Sequence, residues 1–164
     1  MKEIKAPNDY DINGVVTLFE AGSIEMGAAE NWQVRLAKEL SDIENLLVLN
    51  PRRDDWDSTW KQSKDDSQFR GQVLWELQAQ ESADVIAMYF DPKTKSPITL
   101  MELGLFVDNS LVVFCPEGFY RKGNVDIVCE RYGASQASSW DEFVEMVRAR
   151  IKVSEVKKLE DAWK

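Results

Sequence analysis

The stretch 84-DVIAMYFDPKTKSPITLMELGLFV-107 contains an apolar run, a polar loop and a second apolar segment with helix-start residues. Residues 84–90 form a short apolar run behind one aspartate, which is typical of a strand buried on both faces. Ser96 suits the N-cap and Pro97 the first position of a helix that continues to residue 107. A buried strand followed closely by a helix predicts one unit of a parallel α/β sheet.

The rest of the chain repeats this alternation. Apolar runs predict strands at 15–22, 46–49, 84–90, 111–115 and 125–132. Helical spacing is found at 32–40 and 69–77, and Ser139 with Glu142 forms a capping box before a long C-terminal helix. We therefore expect one domain over residues 1–164, an α/β fold with an open five-stranded parallel sheet and helices on both faces, as in flavodoxin-like or Rossmann-like three-layer sandwiches.

The composition restricts the classes of function. A chain of 164 residues with 44% apolar side chains can bury a core. Its net charge of −9 disfavours nucleic-acid polymers and acidic membranes as partners, because both are bound through clustered Lys and Arg. No apolar run reaches the roughly 20 residues of a membrane-spanning helix, and no secretory signal is recognised, so we expect a cytoplasmic protein.

Histidine is absent from the chain. Its absence excludes Ser-His-Asp and Cys-His catalysis, zinc-protease helices and imidazole bases. Cys115 and Cys129 lie in apolar surroundings without a metal or redox spacing, which favours two reduced, buried thiols over a disulfide. Any catalysis is expected to depend on carboxylates, Tyr, Lys or Cys, with no cofactor and no metal ion.

Glu102 is the only ionisable residue in the apolar helix predicted at 97–107. Ile98, Met101 and Leu105 are predicted to share its face. Burying an unpaired carboxylate costs several kcal/mol or raises its pKa, so Glu102 either has a structural partner or takes part in chemistry. Because the helix is apolar nearly all round, we expect it to pack against another subunit as well as against the sheet.

Open parallel sheets bind ligands beyond the carboxyl ends of their strands. The Gly22-Ser23 turn lies at such an end and could present amides and a hydroxyl to a phosphate or sugar oxygen, or be a plain turn. The loop 52-RRDDWDSTW-60 lies at the next end. Its Arg52, Asp55 and Trp56 could bind and stack on a base, or the tryptophan could merely cover the core.

Four other polar residues border predicted strands. Asp84 and Asp91 lie at the two ends of the third strand, and Asn124 and Asp126 flank the start of the last one. Each of them could make local hydrogen bonds to the backbone without any ligand.

Several separated motifs resemble a known family. Residues 18-LFEAGS-23 are similar to its first strand and glycine turn, 83-ADVIAMY-89 to its third strand with a leading Asp, and 101-MELG-104 to its nucleophile helix. Together they resemble the nucleoside 2-deoxyribosyltransferases and their relatives that hydrolyse the N-glycosidic bond of nucleoside 5'-monophosphates. A subgroup described only as deoxyribosyltransferase-like is more similar still, with NPRRDDWD, CPEGF and GNVDIVCERYG in the same order.

The resemblance implies that Glu102 is a nucleophile that attacks the anomeric carbon and forms a glycosyl-enzyme intermediate. Asp84 would lie near the sugar or base, Asn124 would reach into a neighbouring subunit's site, and Asp84 or Asp91 would be the acid for the leaving base. The implied activity is transfer or hydrolysis at the N-glycosidic bond. The alternative is a nucleotide sensor that has the same cleft and no catalysis.

The resemblance also implies binding roles. Ser23 would bind a 5'-phosphate, assisted by Arg52 or Arg53. Ser96 stands six residues before Glu102, where family transferases place an Asp, and is counted among the substrate-contacting residues. The expected partners are a small nucleoside or nucleotide and further copies of this chain with shared active sites.

Overall fold

A computed structural model describes residues 1–24, 29–54, 59–107 and 110–163. The strands in these ranges are β1 (Lys2–Lys5), β2 (Val16–Gly22), β3 (Leu46–Asn50), β4 (Val85–Tyr89), β5 (Leu111–Phe114) and β6 (Ser135–Ala137). The helices are α1 (Trp32–Glu39), α2 (Ser67–Ser82), α3 (Pro97–Phe106), α4 (Lys122–Tyr132) and α5 (Trp140–Ala162). None of these described helices is both long and apolar enough to cross a bilayer.

The strands form one open sheet in the order β1-β3-β2-β4-β5-β6, and every pairing is parallel. The strand order reverses between β2 and β4, because the chain first adds β3 on one side of β2 and then crosses to the other side. Nearly all residues of β2, β3 and β4 are buried, as expected of parallel strands covered on both faces, and most of them are apolar. The carboxyl ends of β2 and β4 therefore border the crevice where such sheets bind ligands.

Two apolar cores separate the helices into layers. One core joins α1 and α5 to one face of the sheet, and the other joins α2, α3 and α4 to the opposite face. Successive residues of a strand alternate between these faces. The α1 and α5 side contains Leu18, Trp32, Leu36, Val48, Phe143 and Val147, and the other side contains Phe19, Leu47, Ala79, Met88, Leu103 and Val125. The predicted three-layer architecture is confirmed.

The sheet has six described strands rather than the predicted five. The predicted strand at 125–132 is wrong, because these residues belong to α4. Val125 and Cys129, four positions apart, are its buried residues, and Gly133 ends the helix at a left-handed φ of 72°. The two edge strands β1 and β6 are short and largely polar, so no apolar run marks them in the sequence.

Local predictions made at the helix and cysteine positions agree with the structure. The Ser139 hydroxyl accepts a hydrogen bond from the Glu142 amide at the start of α5, which confirms the cap. Cys115 and Cys129 are free and buried, as predicted. Burial raises the pKa of Cys115 to about 12 and that of Cys129 to about 11, so both thiols stay protonated.

Asp84 fastens the start of β4 to the start of β2. Its carboxylate accepts hydrogen bonds of 2.8 Å from both the amide and the hydroxyl of Thr17, and it forms a 2.9 Å ion pair with Lys158 of α5. The Asp84 amide donates back to the Thr17 hydroxyl. These contacts join three elements at the amino ends of the strands.

Replacement of Asp84 by Ala is expected to lower the free energy of unfolding by about 2 to 3 kcal/mol, because it leaves the Thr17 amide without its acceptor. Asp54→Ala is the matched control, since Asp54 also pairs with a lysine, Lys5 at 2.7 Å, but its side chain is 81% exposed. That control should cost less than about 1 kcal/mol. Urea unfolding of both variants makes the comparison, and equal losses would contradict the structural role of Asp84.

Candidate functional site

Gly22 permits close contact between β2, β4 and α1 at the carboxyl ends of the strands. Its φ is 153°, and a Cβ at this position would lie 2.5 Å from the Tyr89 carbonyl oxygen and 2.8 Å from the Trp32 ring. The following amide, that of Ser23, donates to the same Tyr89 carbonyl at 3.0 Å. Only glycine fits this turn. The backbone geometry therefore accounts for Gly22 without a ligand.

Ser23, Thr94 and Ser96 form a buried cluster of three hydroxyl groups beside this turn. Thr94 donates to the Ser23 hydroxyl at 3.0 Å, and the Ser96 hydroxyl lies 2.5 Å from that of Ser23 and 2.7 Å from that of Thr94. Ser96 is the N-cap residue of α3 by position, but its φ is 43° and its hydroxyl makes no capping bond. The cluster therefore ties the end of β2 to the start of α3.

Asp91 completes this connection. Its amide donates to the Ser23 hydroxyl at 2.8 Å, and its carboxylate accepts from the amides of Glu30 at 2.9 Å and Lys93 at 2.8 Å. The side chain is buried. The local backbone bonding considered from the sequence is thus present, and it additionally anchors the chain that leads into α1.

Glu102 is buried on the inner side of α3. The prediction that it shares a face with Ile98, Met101 and Leu105 is wrong, because those three side chains are 52 to 59% exposed and Glu102 is 7% exposed. Glu102 lies at the border of the two faces at about 100° per residue, so sequence spacing alone could not assign it. Its buried neighbours on the helix are Thr99, Leu103 and Phe106.

A polar row on α2 faces this carboxyl group. The Gln80 side-chain amide donates to the Glu102 carboxylate at 2.8 Å, and Gln72 donates to Glu76 at 2.8 Å. Burial raises the pKa of Glu102 from 4.5 to about 8, with a further increase from the charge of Glu76 and a decrease from the Gln80 bond. Burial likewise raises the pKa of Glu76 to about 6, against a decrease from Gln72.

Glu76 is the site residue that the sequence analysis missed. It lies four positions from both Gln72 and Gln80, and residues at this spacing share one side of a helix. The sequence signal that could have identified it is this row of polar residues, because a helix that covers a sheet is expected to be apolar on its inner side. Because the two carboxyls interact, their titration belongs to the pair, which carries one negative charge near neutral pH.

One arginine, Arg53, lies beside this row. Arg53 donates to Gln72 at 3.5 Å and lies 4.8 Å from the centre of the Trp60 ring. A groove of about 510 Å³ runs beside them and is also bordered by Trp75. Arg52 donates instead to the Glu30 carbonyl at 3.3 Å and to Gln33 at 3.4 Å. The predicted site residues Asp55 and Trp56 lie outside the described residues.

Three predicted residues are not gathered at this site. Asp84 lies at the opposite, amino end of β4, bound to Thr17 and Lys158. Asn124 and Asp126 lie on α4 rather than beside a strand. Asn124 is exposed, whereas Asp126 binds Lys122 at 2.8 Å and Gln136 at 2.5 Å.

Comparisons with known proteins agree with this architecture. A family model described as nucleoside 2-deoxyribosyltransferase like matches residues 15–119. No curated protein matches the chain. A solved structure described as a conserved protein from Enterococcus faecalis V583 is similar with a TM-score of 0.57 and 13% identity, over 83% of this chain and 99% of that one. At this identity the likeness shows the fold alone.

The carboxyl pair of buried Glu102 and half-buried Glu76 predicts a pH dependence of stability. Glu102 and Glu76 bind protons more tightly in the folded state, so their stabilisation is complete below pH 4.5 and is lost as the pH rises through about 6 and about 8. For each of the two groups, the free energy of unfolding should fall by about 1.4 kcal/mol per pH unit between its ordinary pKa of 4.5 and its raised pKa.

Glu102→Gln should flatten this decline between pH 6 and 8, because the amide cannot ionise. Urea unfolding at four pH values measures the slope. The control is Glu81→Gln, which replaces an exposed carboxylate of the same helix as Glu76 and should keep the wild-type slope. Parallel curves for wild type and Glu102→Gln would contradict the assignment.

Proposed function

Because the chain belongs to the nucleoside 2-deoxyribosyltransferase-like family, we propose that it cleaves or transfers the N-glycosidic bond of a deoxynucleoside or its 5'-monophosphate. Glu102 is the proposed nucleophile. The observation that carries the proposal is the carboxyl pair formed by the buried Glu102 of α3 and the half-buried Glu76 of α2, which shares one proton near neutral pH. Two carboxyls with separated pKa values are a recurrent arrangement for acid and nucleophile roles.

The reaction can proceed with the groups of this pair. The Glu102 carboxylate attacks the anomeric carbon, the carbon–nitrogen bond breaks, and its electron pair leaves with the base. Before this attack the shared proton, which lies on Glu102 in the unliganded protein, passes to Glu76, and Glu76 then donates it to the leaving base. A second base, or water, then attacks the anomeric carbon, releases the Glu102 carboxylate and returns a proton to Glu76. Attack by a second base gives transfer, and attack by water gives hydrolysis.

This assignment replaces the acid expected from the sequence. Asp91 is occupied by two backbone amides, and Asp84 lies at the amino ends of the strands, so neither is proposed as the acid. Glu76 is favoured because its charge acts directly on Glu102. Gln80 is proposed to orient the nucleophile through its 2.8 Å bond.

The groove beside Trp60 and Trp75 supports a position for the base. Aromatic faces and a guanidinium suit stacking on a planar ring, and Arg53 already lies over Trp60. Gln72, which borders this groove, is one helical turn from Glu76. A base in the groove would therefore place its sugar towards the carboxyl pair.

Ser23, Ser96 and the Gly22 turn are proposed to contact the sugar or a 5'-phosphate, with Arg52 nearby. Their hydroxyl groups are engaged with one another in the structure, so ligand binding would exchange these bonds for bonds to the ligand. The Ser96 hydroxyl makes no capping bond to the amides of the first turn of α3. Those amides are suited to an anion.

A second copy of the chain is proposed to cover the outer face of α3. Ile98, Met101 and Leu105 expose a continuous apolar row on the helix that holds Glu102. Asn124 is exposed at the start of α4 and is proposed to face the neighbouring copy's site.

A nucleotide sensor without catalysis is the second candidate. It is favoured by the raised pKa of Glu102, about 8, which keeps the unliganded side chain largely protonated near pH 7. Saturable binding of a nucleotide without any product would identify this function.

The test of catalysis is product analysis with deoxynucleosides and their monophosphates, with and without a second free base. Glu102→Gln should abolish product, and Glu76→Gln should slow it by roughly 10²- to 10⁴-fold, the range for general acid catalysis. Glu81→Gln, the exposed control on α2, should retain wild-type rates. Equal rates for wild type and Glu102→Gln would exclude the proposed nucleophile.

The test of assembly is the mass in solution. Met101→Glu places a charge in the exposed row of α3 and should convert the oligomer to monomers, measured by light scattering. Leu159→Glu changes an equally exposed apolar residue of α5 and should leave the mass unchanged. A monomeric wild type would contradict the proposed interface.

A further inference from the structure

Glu20 is a fully buried carboxyl in the middle of β2. It is 0% exposed, and neither carboxyl oxygen has a hydrogen-bond partner among the described residues. Burying a polar group without a partner costs free energy, and burying an unpaired charge costs far more. A residue of this kind in a strand core requires an explanation, and the proposed reaction makes no use of it.

The position of Glu20 places it on the α1 and α5 side of the sheet, opposite the Glu102 pair. Leu18, two residues earlier on β2, belongs to that side, and alternate residues of a strand share a face. On β4 its partner in register is Ala87. The polar groups of β3 and β1 nearby are already engaged, since Asn50 donates to Glu3 at 2.6 Å and accepts from the Arg52 amide at 2.8 Å.

Gln33 of α1 is the second unpartnered group on this side of the sheet. It is 0% exposed, its oxygen accepts from Arg52, and its side-chain nitrogen has no partner among the described residues. Gln33 and Glu20 lie on the same side of the sheet, but they do not hydrogen-bond to each other. The layer that α1 and α5 form on this side of the sheet therefore contains two polar groups without a hydrogen-bond partner among the described residues.

The charged groups around Glu20 do not stabilise an ionised form. Lys5 is paired with Asp54 at 2.7 Å. Burial raises the pKa of Glu20 well above 4.5, the charge of Glu3 raises it further, and Lys5 lowers it. Arg52 on the same side is bound to Gln33 and the Glu30 carbonyl, and Arg35, Lys38 and Glu39 of α1 are exposed. The helix α5 also packs on this side, and its Arg148 and Lys158 are paired with Asp42 and Asp84.

The packing of α1 is linked to the candidate site. The Trp32 indole donates to the Ser23 carbonyl at 3.2 Å, and its ring lies against Gly22. The Glu30 amide, just before α1, donates to Asp91. The Ser23 hydroxyl in turn contacts Ser96 at the start of α3. A displacement of α1 would therefore disturb the residues that hold the helix of Glu102.

We propose that the buried, unpartnered carboxyl of Glu20 carries a proton and acts as a positioning residue, which keeps α1 packed on the sheet only while it is neutral. Loss of the proton requires water at the carboxylate, and water reaches it when α1, the shorter of the two helices that cover this face, moves away. The movement would release Trp32 from Ser23 and loosen the start of α3. The effect on catalysis rests on the proposed function, whereas the movement of α1 does not.

The direction of the pH effect follows from whether Glu20 is protonated in each of the two forms of α1. Glu20 holds its proton when α1 is packed and loses it when α1 is open, so rising pH favours the open form above the ordinary pKa of 4.5 until the raised value is reached. Opening should increase up to about tenfold per pH unit in this range.

Hydrogen exchange measured by peptide between pH 5 and 8 tests the proposal, after correction for the intrinsic pH dependence of exchange. In the wild type, protection of residues 29–40 should fall as the pH rises. Glu20→Gln cannot ionise and should keep this protection constant. Glu20→Leu, which also removes the unsatisfied polar group, is a second variant that should keep it constant and raise overall stability.

Glu102→Gln is the internal control, since it removes a carboxyl that titrates in the same range from the other face of the sheet. It should alter the pH dependence of peptides from α2 and α3 and leave that of residues 29–40 unchanged. The same pH dependence of residues 29–40 in wild type, Glu20→Gln and Glu20→Leu would overturn the proposal.

Activity separates this inference from the proposed function. If the wild type turns over substrate, the decline of kcat/KM at high pH should move to higher pH in Glu20→Gln. If it shows no turnover with any candidate, the proposed function fails, and the exchange data still confirm or overturn the role of Glu20 in holding α1.

Discussion

The contact at Gly22 is the constraint on which the site depends. Because this residue lacks a Cβ, the end of β2 can approach the Tyr89 carbonyl of β4 and the Trp32 ring of α1 at once. The strand order reverses between these two strands, and the chain leaves each of them in a different direction. Hydrogen bonds among the Ser23, Thr94 and Ser96 hydroxyls then connect the segments that follow β2 and β4, and this fixes the start of α3 relative to β2.

The carboxyl groups on the two faces of the sheet differ in their hydrogen-bond partners. On the α2 and α3 face, Glu102 receives a hydrogen bond from Gln80 and Glu76 receives one from Gln72. These bonds lower the pKa of each group against the larger effect of burial, so the pair titrates near neutral pH. On the α1 face, Glu20 receives no hydrogen bond from the described residues, and its pKa is raised well above 4.5. Burial raises the pKa of all three carboxyls, and the hydrogen bonds from Gln80 and Gln72, which have no counterpart at Glu20, oppose that increase for the pair.

The two sides of α3 show how one helix can serve a core and an exterior surface. Its inner side places Glu102 among Thr99, Leu103 and Phe106, and its outer side exposes Ile98, Met101 and Leu105. The exposed row and the buried carboxyl belong to the same helix. Association of another chain with that row would therefore act on the helix that holds Glu102.

The sequence by itself determined the parallel α/β architecture, the central strands, the position of α3, the buried thiols and the family, because apolar runs, glycine turns and the MELG motif are local signals. Only the tertiary structure decided that residues 125–132 are helical, that β1 and β6 complete the sheet, and that Glu76 rather than Asp84 adjoins Glu102. Edge strands carry little apolar pattern, and α4 uses two buried residues that a strand could equally bury. The pairing of α2 with α3 joins side chains 22 and 26 positions apart, and such contacts depend on how two helices pack on one sheet, which residue spacing does not encode.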